Sequence, residues 1–132
     1  MSILGKLFGD SDSKDNSSSN MDWNDLTELK QLDEITEESR EVPVVIFKHS
    51  TRCSISRMAL KNFEREYNIE KGSAKPYFLD LLEHRDISNA IASRFGVMHQ
   101  SPQLILIKQG TAVYDTSHSD IDAETLKNKL AS

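Results

Sequence analysis

Val42-Pro43-Val44-Val45-Ile46-Phe47-Lys48-His49-Ser50-Thr51-Arg52-Cys53-Ser54-Ile55-Ser56 decides the fold of this chain. The run Val42 to Phe47 is β-branched and aromatic and bounded by charge, which predicts a strand buried on both faces. Pro43 belongs at its first residues, where a missing N–H is tolerated. After the polar turn, Ile55, Ala59, Phe63 and Tyr67 recur at intervals of four against polar Lys61, Glu64, Arg65 and Glu66, predicting an amphipathic helix that closes near Asn68. Cys53 then stands at a strand-to-helix turn.

Working outward toward the N-terminus, Leu26, Leu29, Leu32 and Ile35 recur at spacings of three, with Glu28, Lys30, Glu34 and Glu37 opposite, so a helix is expected from Asp25 to Ser39. Toward the C-terminus, Lys71 to Pro76 reads as a loop and Tyr77 to Leu82 as a second buried strand. A helix follows from Asp86, with Ile87, Ala90, Ile91 and Phe95 on its apolar face and Gly96 at its end. Gln103 to Lys108 and Thr111 to Tyr114, joined by Gln109-Gly110, form a hairpin. Ile121, Leu126 and Leu130 mark a closing helix capped near Ser119 or Asp120. The order αβαβαββα is α/β: alternating units imply parallel strands with right-handed crossovers, the hairpin adds an antiparallel edge, and helices cover both faces of a mixed sheet.

Composition bounds the function. A chain of 132 residues fits one globular unit, here residues 21–132, behind a polar tail of residues 1–20 expected to be disordered. The alternative for the tail is a weak amphipathic membrane or partner contact through Leu4, Leu7 and Phe8. Charged residues are 28% with a net charge of −5, which argues against nucleic acid as a partner. No apolar run approaches the roughly 20 residues of a transmembrane segment. One cysteine cannot build a disulfide framework or a Cys-x-x-Cys metal or redox pair. With no secretion signal, a cytoplasmic location is expected.

Cys53 is either an inert core residue or a reactive thiol, and its place between a polar turn and a helix start favours the second. The helix dipole and unpaired backbone N–H groups there favour a thiolate, and Arg52 adds positive charge. Ser56 stands one helical turn on, in a Cys-x-x-Ser arrangement: it can donate a hydrogen bond to a thiolate but cannot close a disulfide, and it is equally an ordinary polar residue of a first turn. Ser101-Pro102 precedes the hairpin strand. A trans bond is the default there; a cis bond is the alternative that leaves the Ser101 backbone free to pair with an extended substrate. His49, His84, His99 and His118 match no metal-ligand spacing, so no metal is expected. A Cys–His hydrolase with His49 or His99 as base lacks a clear third member or an oxyanion motif.

The lone Cys at a strand-to-helix turn, the later X-Pro at a hairpin start and the closing helix look like the thioredoxin fold. Phe47-Lys-His-Ser-Thr-Arg-Cys-Ser-Ile-Ser56, Leu81-Leu-Glu-His-Arg-Asp-Ile-Ser88 and His99-Gln-Ser-Pro-Gln103 resemble the YtxJ family of monothiol bacilliredoxins, over about Trp23 to Leu130. That family usually reads Thr-Cys-Pro-Ile-Ser at its active site. Here Arg52 and Ser54 replace the Thr and Pro, while Cys53, Ile55 and Ser56 match. The resemblance implies a monothiol thiol-disulfide oxidoreductase in which Cys53 takes bacillithiol, or a similar low-molecular-weight thiol, from S-thiolated client proteins. Thr51, Arg52, Ser54, Ser56, Ser101 and Pro102 would then border the substrate, with no bound cofactor and the small thiol as co-substrate. The last helix start, around Ser117, His118 and Ser119, would offer N–H groups to a carboxylate of that thiol, or merely cap the helix. The rival from another class is a non-catalytic thioredoxin-fold interaction protein with Cys53 as a redox sensor.

Overall fold

The computed structural model describes residues 21–131. The expected tail, residues 1–20, lies outside them. In chain order the elements are β1 (Asn24–Asp25), α1 (Gln31–Glu38), β2 (Val44–His49), α2 (Ser54–Glu66), β3 (Lys75–Asp80), α3 (Arg85–Phe95), β4 (Gln103–Lys108), β5 (Thr111–Ser117), a 3₁₀ turn (His118–Asp120) and α4 (Ala123–Ala131). The strands form one five-stranded sheet in the order β1-β3-β2-β4-β5. β1 and β2 both run parallel to β3, whereas β4 is antiparallel to β2 and to β5, so the expected mixed sheet is present.

Period-two alternation along β2 divides the core between two faces. Val44 and Ile46 join Leu32 and Ile35 of α1 and Ile87 and Ile91 of α3. Val45 and Phe47 join Phe63 of α2 and Leu126 of α4 on the other face. β2 is buried along its whole length because it has a strand on either side and helices above and below. Lys48 and His49, expected beyond the strand, continue it and are buried at 0% and 4% exposure. The alternation places Lys48 on the α1/α3 face and His49 on the α2/α4 face.

The helix expected from Asp25 begins only at Gln31. Asn24 and Asp25 instead pair with Tyr77 and Phe78 as an edge strand, and the Leu26 N–H continues that pairing to the Phe78 carbonyl. Gln31 explains the late start: its Oε1 accepts from the Thr27 and Glu28 N–H groups, and its Nε2 donates to the Asp25 carbonyl. Leu26 is core from a loop and Leu29 is exposed, so their spacing imitated a helical face. Ile55, expected on the apolar face of α2, is 61% exposed, and its neighbour Ser56 takes the buried position of the first turn.

β3 starts two residues earlier than expected and contains Pro76. The Lys75 N–H donates to the Pro43 carbonyl on the β2 side, so Pro76 faces the other way, where β1 begins only opposite Tyr77. Its missing N–H therefore falls at an open edge, as strand prolines require. β5 runs to Ser117 rather than Tyr114. α4 is capped by Asp122, not Ser119 or Asp120: Asp122 Oδ2 accepts from the Thr125 N–H and hydroxyl at 2.9 and 2.7 Å.

The hairpin turn has positive φ at Gln109 and Gly110, 53° and 75°, the type I′ signature. The Gln109 and Gly110 N–H groups donate to the carbonyl and hydroxyl of Ser39 at the end of α1. A Cβ on Gly110 would meet Thr36 Cγ2 at 3.3 Å in a backbone conformation that L side chains rarely adopt. Gly110→Ala is expected to cost about 1–2 kcal/mol in urea unfolding. A change within a few tenths of a kcal/mol would show that the turn relaxes freely.

Candidate active site

The C-terminal end of β2 delivers Ser50, Thr51, Arg52 and Cys53 to the sheet edge, and α2 starts at Ser54. The Cys53 N–H donates to the Ser50 carbonyl, and the Arg57 N–H donates to the Cys53 carbonyl as the first helical bond. Cys53 is thus the N-cap, in extended conformation (φ −101°, ψ 121°), with no side-chain capping bond. An N-cap side chain faces the first-turn N–H groups that have no helical acceptor. Cys53 is half-buried at this helix start. Thr51, Arg52 and Ser54 are exposed around it. Arg57 Nη1 donates to the Thr51 carbonyl and steadies the turn.

Ser56 is placed differently. It is fully buried, and its Oγ accepts from the Ser50 N–H at 3.0 Å while lying 2.8 Å from His49 Nδ1. Desolvation lowers the pKa of His49; Asp80 opposes that and Arg57 adds to it. The Ser56 hydroxyl and His49 Nδ1 share one buried hydrogen bond. Ser56 is a strut between strand end and active-site turn, where the sequence suggested a donor to the thiolate. Ser56→Ala strips two groups of their partner and is expected to cost about 1–3 kcal/mol by urea unfolding. If stability changes by less than a few tenths of a kcal/mol, the strut is not holding the turn.

Antiparallel pairing of Lys48 with Gln103 puts the residues just before β4 at the same end of the sheet as the Cys53 turn. Ser101 and Pro102 lie there, joined by a cis bond in place of the trans default. Gln103 braces this segment: its Nε2 donates to the Met98 carbonyl, and its Oε1 accepts from the Gln100 N–H. The Pro102 carbonyl accepts from the His118 N–H at 3.0 Å. That corrects the expectation of an anion seat at the last helix start. Ser117 to Ser119 lead into a three-residue 3₁₀ turn rather than α4, and the His118 N–H is already engaged.

Sequence reasoning missed the cluster beneath this end. Lys48 Nζ lies 3.0 Å and Ser88 Oγ 3.1 Å from His99 Nδ1, and Lys48 and Ser88 are both buried. A lysine directly after a fully apolar strand was the available signal. Burial pushes Lys48 down to about 8. Desolvation, with the charges of Lys48 and Arg85 adding to it, lowers His99. His49 and His99 spend their Nδ1 atoms on Ser56 and on this cluster. Among the described residues no group of three or more His, Cys, Asp or Glu converges as a metal site. A cavity of about 440 Å³ lined by Glu38, Tyr67, Lys75 and Pro76 lies at the opposite end of the sheet, remote from the thiol.

A family model described as monothiol bacilliredoxin BrxC matches residues 24–126. Among solved structures, a candidate oxidoreductase with a thioredoxin fold is 29% identical at a TM-score of 0.69, covering 82% of this chain and 92% of its own. Thioredoxin from Malassezia sympodialis is 18% identical at a TM-score of 0.65, with 86% and 91% covered. Fasciola hepatica thioredoxin is 17% identical at 0.62, with 82% and 96% covered. The last two bear on the fold alone.

Proposed function

Because the chain belongs to the monothiol bacilliredoxin BrxC family and carries a thioredoxin fold, we propose that it removes bacillithiol, or a similar low-molecular-weight thiol, from client-protein cysteines. The observation that carries this reading is the lone thiol at the α2 N-cap, half-exposed, with Ser56 one turn on committed to the scaffold. The Cys53 thiolate attacks the small-thiol sulfur of the mixed disulfide, and the S–S bond to the client breaks. The client cysteine leaves as thiolate, and Cys53 carries the small thiol as a new mixed disulfide. Lacking a resolving cysteine, the protein depends on a second small-thiol molecule to reduce that adduct, giving the small-thiol disulfide and free Cys53.

Arg52 supplies positive charge beside the sulfur, and the exposed Thr51 and Ser54 border the incoming thiol. Ser101 and Pro102, at the same sheet end, align the extended substrate backbone, and Ser56 keeps the turn in place. The co-substrate is the small thiol, with no bound cofactor. A reducing cytoplasm, where such thiols regenerate the enzyme, is the fitting compartment. Among the described residues no helix is long and apolar enough to cross a membrane.

The test is transfer. A client protein carrying one bacillithiol mixed disulfide, with a glutathione mixed disulfide in parallel, is mixed with this chain and followed by intact mass. The expected result is the mass of the small thiol appearing on Cys53 as the client thiol is freed, faster from the preferred thiol. No adduct from either donor overturns the proposal in favour of a non-catalytic interaction or sensor protein.

A further inference from the structure

Resting on that reading, we infer that Arg57 and Lys61 of α2 form a seat for the carboxylates of the small thiol, beside Cys53 and apart from the client. Cys53, Arg57 and Lys61 stand four residues apart, so the two cations follow the thiol along one face of the helix. A rise of about 1.5 Å per residue sets them about 6 and about 12 Å along the axis from Cys53. A tripeptide-sized thiol spans roughly 10 Å when extended, so a sulfur at Cys53 leaves its carboxylates within reach of both side chains. Two hydrogen bonds tie Arg57 to the active-site turn. Its N–H donates to the Cys53 carbonyl at 3.0 Å, and its Nη1 donates to the Thr51 carbonyl at 3.0 Å.

Both side chains line a cavity of about 360 Å³, together with His49, Leu60 and Glu64. That volume lies in the range of small-ligand sites. Arg57 and Lys61 are exposed, and neither is in an ion pair with a described residue. The acids nearby are engaged inside the fold: Glu64 Oε2 accepts from Trp23 Nε1 at 2.6 Å, and Asp80, the sheet partner of His49, accepts from the Leu82 N–H at 3.1 Å. On a chain of net charge −5, two cations without an acidic partner in one cavity favour an anion there. A guanidinium has five N–H donors, of which the Thr51 carbonyl takes one. That bond holds the group beside the turn while the remaining donors are free to take a carboxylate as a bidentate pair. Leu60 offers the carbon skeleton of the thiol an apolar wall.

The sheet puts this seat and the client on opposite sides of the thiol. His49 pairs with Asp80 of β3, and Glu64 reaches Trp23 just ahead of β1, so the cavity lies on the β3 side of the end of β2. Ser101 and Pro102 precede β4, which flanks β2 on its other side. Cys53, following β2, stands between them. The client cysteine and the small thiol are still joined when Cys53 attacks, so both must be held at once. Separate seats meet that need. Recognition by charge then selects small thiols that carry carboxylates, as bacillithiol and glutathione do, over uncharged ones.

The experiment uses the full chain. Mixed disulfides of one client with bacillithiol and with glutathione, each as the free acid and as its carboxyl methyl ester, are presented to the parent, Lys61→Glu and Arg57→Gln. Intact mass follows each small thiol onto Cys53, and the readout is the ratio of the acid rate to the ester rate. A change in thiol reactivity or a looser turn alters both rates alike and leaves that ratio unmoved. For the faster of the two thiols, the parent should favour the acid by about 10-fold or more, and each variant should bring the ratio within about 3-fold of unity. A parent ratio near one overturns the seat, as does either variant keeping the parent ratio; in both cases the exchange reading stands. No Cys53 adduct from any donor overturns the exchange reading, and the seat falls with it.

Discussion

Cys53→Ser should abolish small-thiol transfer while leaving the protein at least as stable as the parent. The chain has one cysteine, so no second sulfur can substitute for it, and a serine hydroxyl is not ionised at neutral pH to attack a disulfide. Cys53 is the α2 N-cap in extended conformation with no capping bond of its own. Serine is among the preferred residues at that position, because its oxygen accepts from a first-turn N–H, and it should stabilise the helix by about 0.5–1 kcal/mol. Few substitutions separate chemistry from folding so cleanly. Intact mass of the client and a urea melt check both halves. Transfer by Cys53→Ser at the parent rate would remove Cys53 as the nucleophile, and a loss of more than about 1 kcal/mol would contradict the N-cap geometry.

Phe47→Ala should have the largest effect on stability. Phe47 is fully buried on the central strand, with Trp23, Phe63 and His49 at ring-centroid distances of 6.0, 5.6 and 6.4 Å. Strands pair with β2 on both sides, so the backbone has little room to collapse into the space left behind. The cost is expected at about 3–5 kcal/mol, a large part of the 5–15 kcal/mol that holds a typical domain. The melting temperature should fall by more than about 10 °C. Because Lys48, His49 and the Cys53 turn continue from the same strand, transfer activity should disappear at the temperature where the variant melts. A urea midpoint shift worth less than about 1 kcal/mol would mean that the aromatic cluster does not anchor this face.

What was legible in the sequence follows from local physics. β2, α2, α3 and the Gln109-Gly110 hairpin each carry a strong periodic or turn signal, and each is present close to its expected bounds. The edge strand Asn24–Asp25 carries none: two polar residues have no alternation to read, and they become a strand only because β3 offers them a free edge. Leu26 and Leu29 then extended the periodicity of α1 backward, although Gln31 ties off the chain before the helix begins. The cap of α4 was misplaced for a similar reason, since Ser119, Asp120 and Asp122 are all competent caps and the first two lie in a 3₁₀ turn ahead of the helix.

The sequence by itself determined the order of elements around the thiol, the placement of Cys53 at a strand-to-helix turn and the lack of a resolving cysteine, because spacing and residue count are local properties of the chain. Tertiary structure alone decided what Ser56 touches, where Ser101 and Pro102 lie relative to the turn, and that Lys48 is buried against His99 and Ser88. Those contacts join residues 7, 11 and 51 positions apart, and hydrogen-bond partners across such gaps follow from register and burial, which composition and periodicity do not encode.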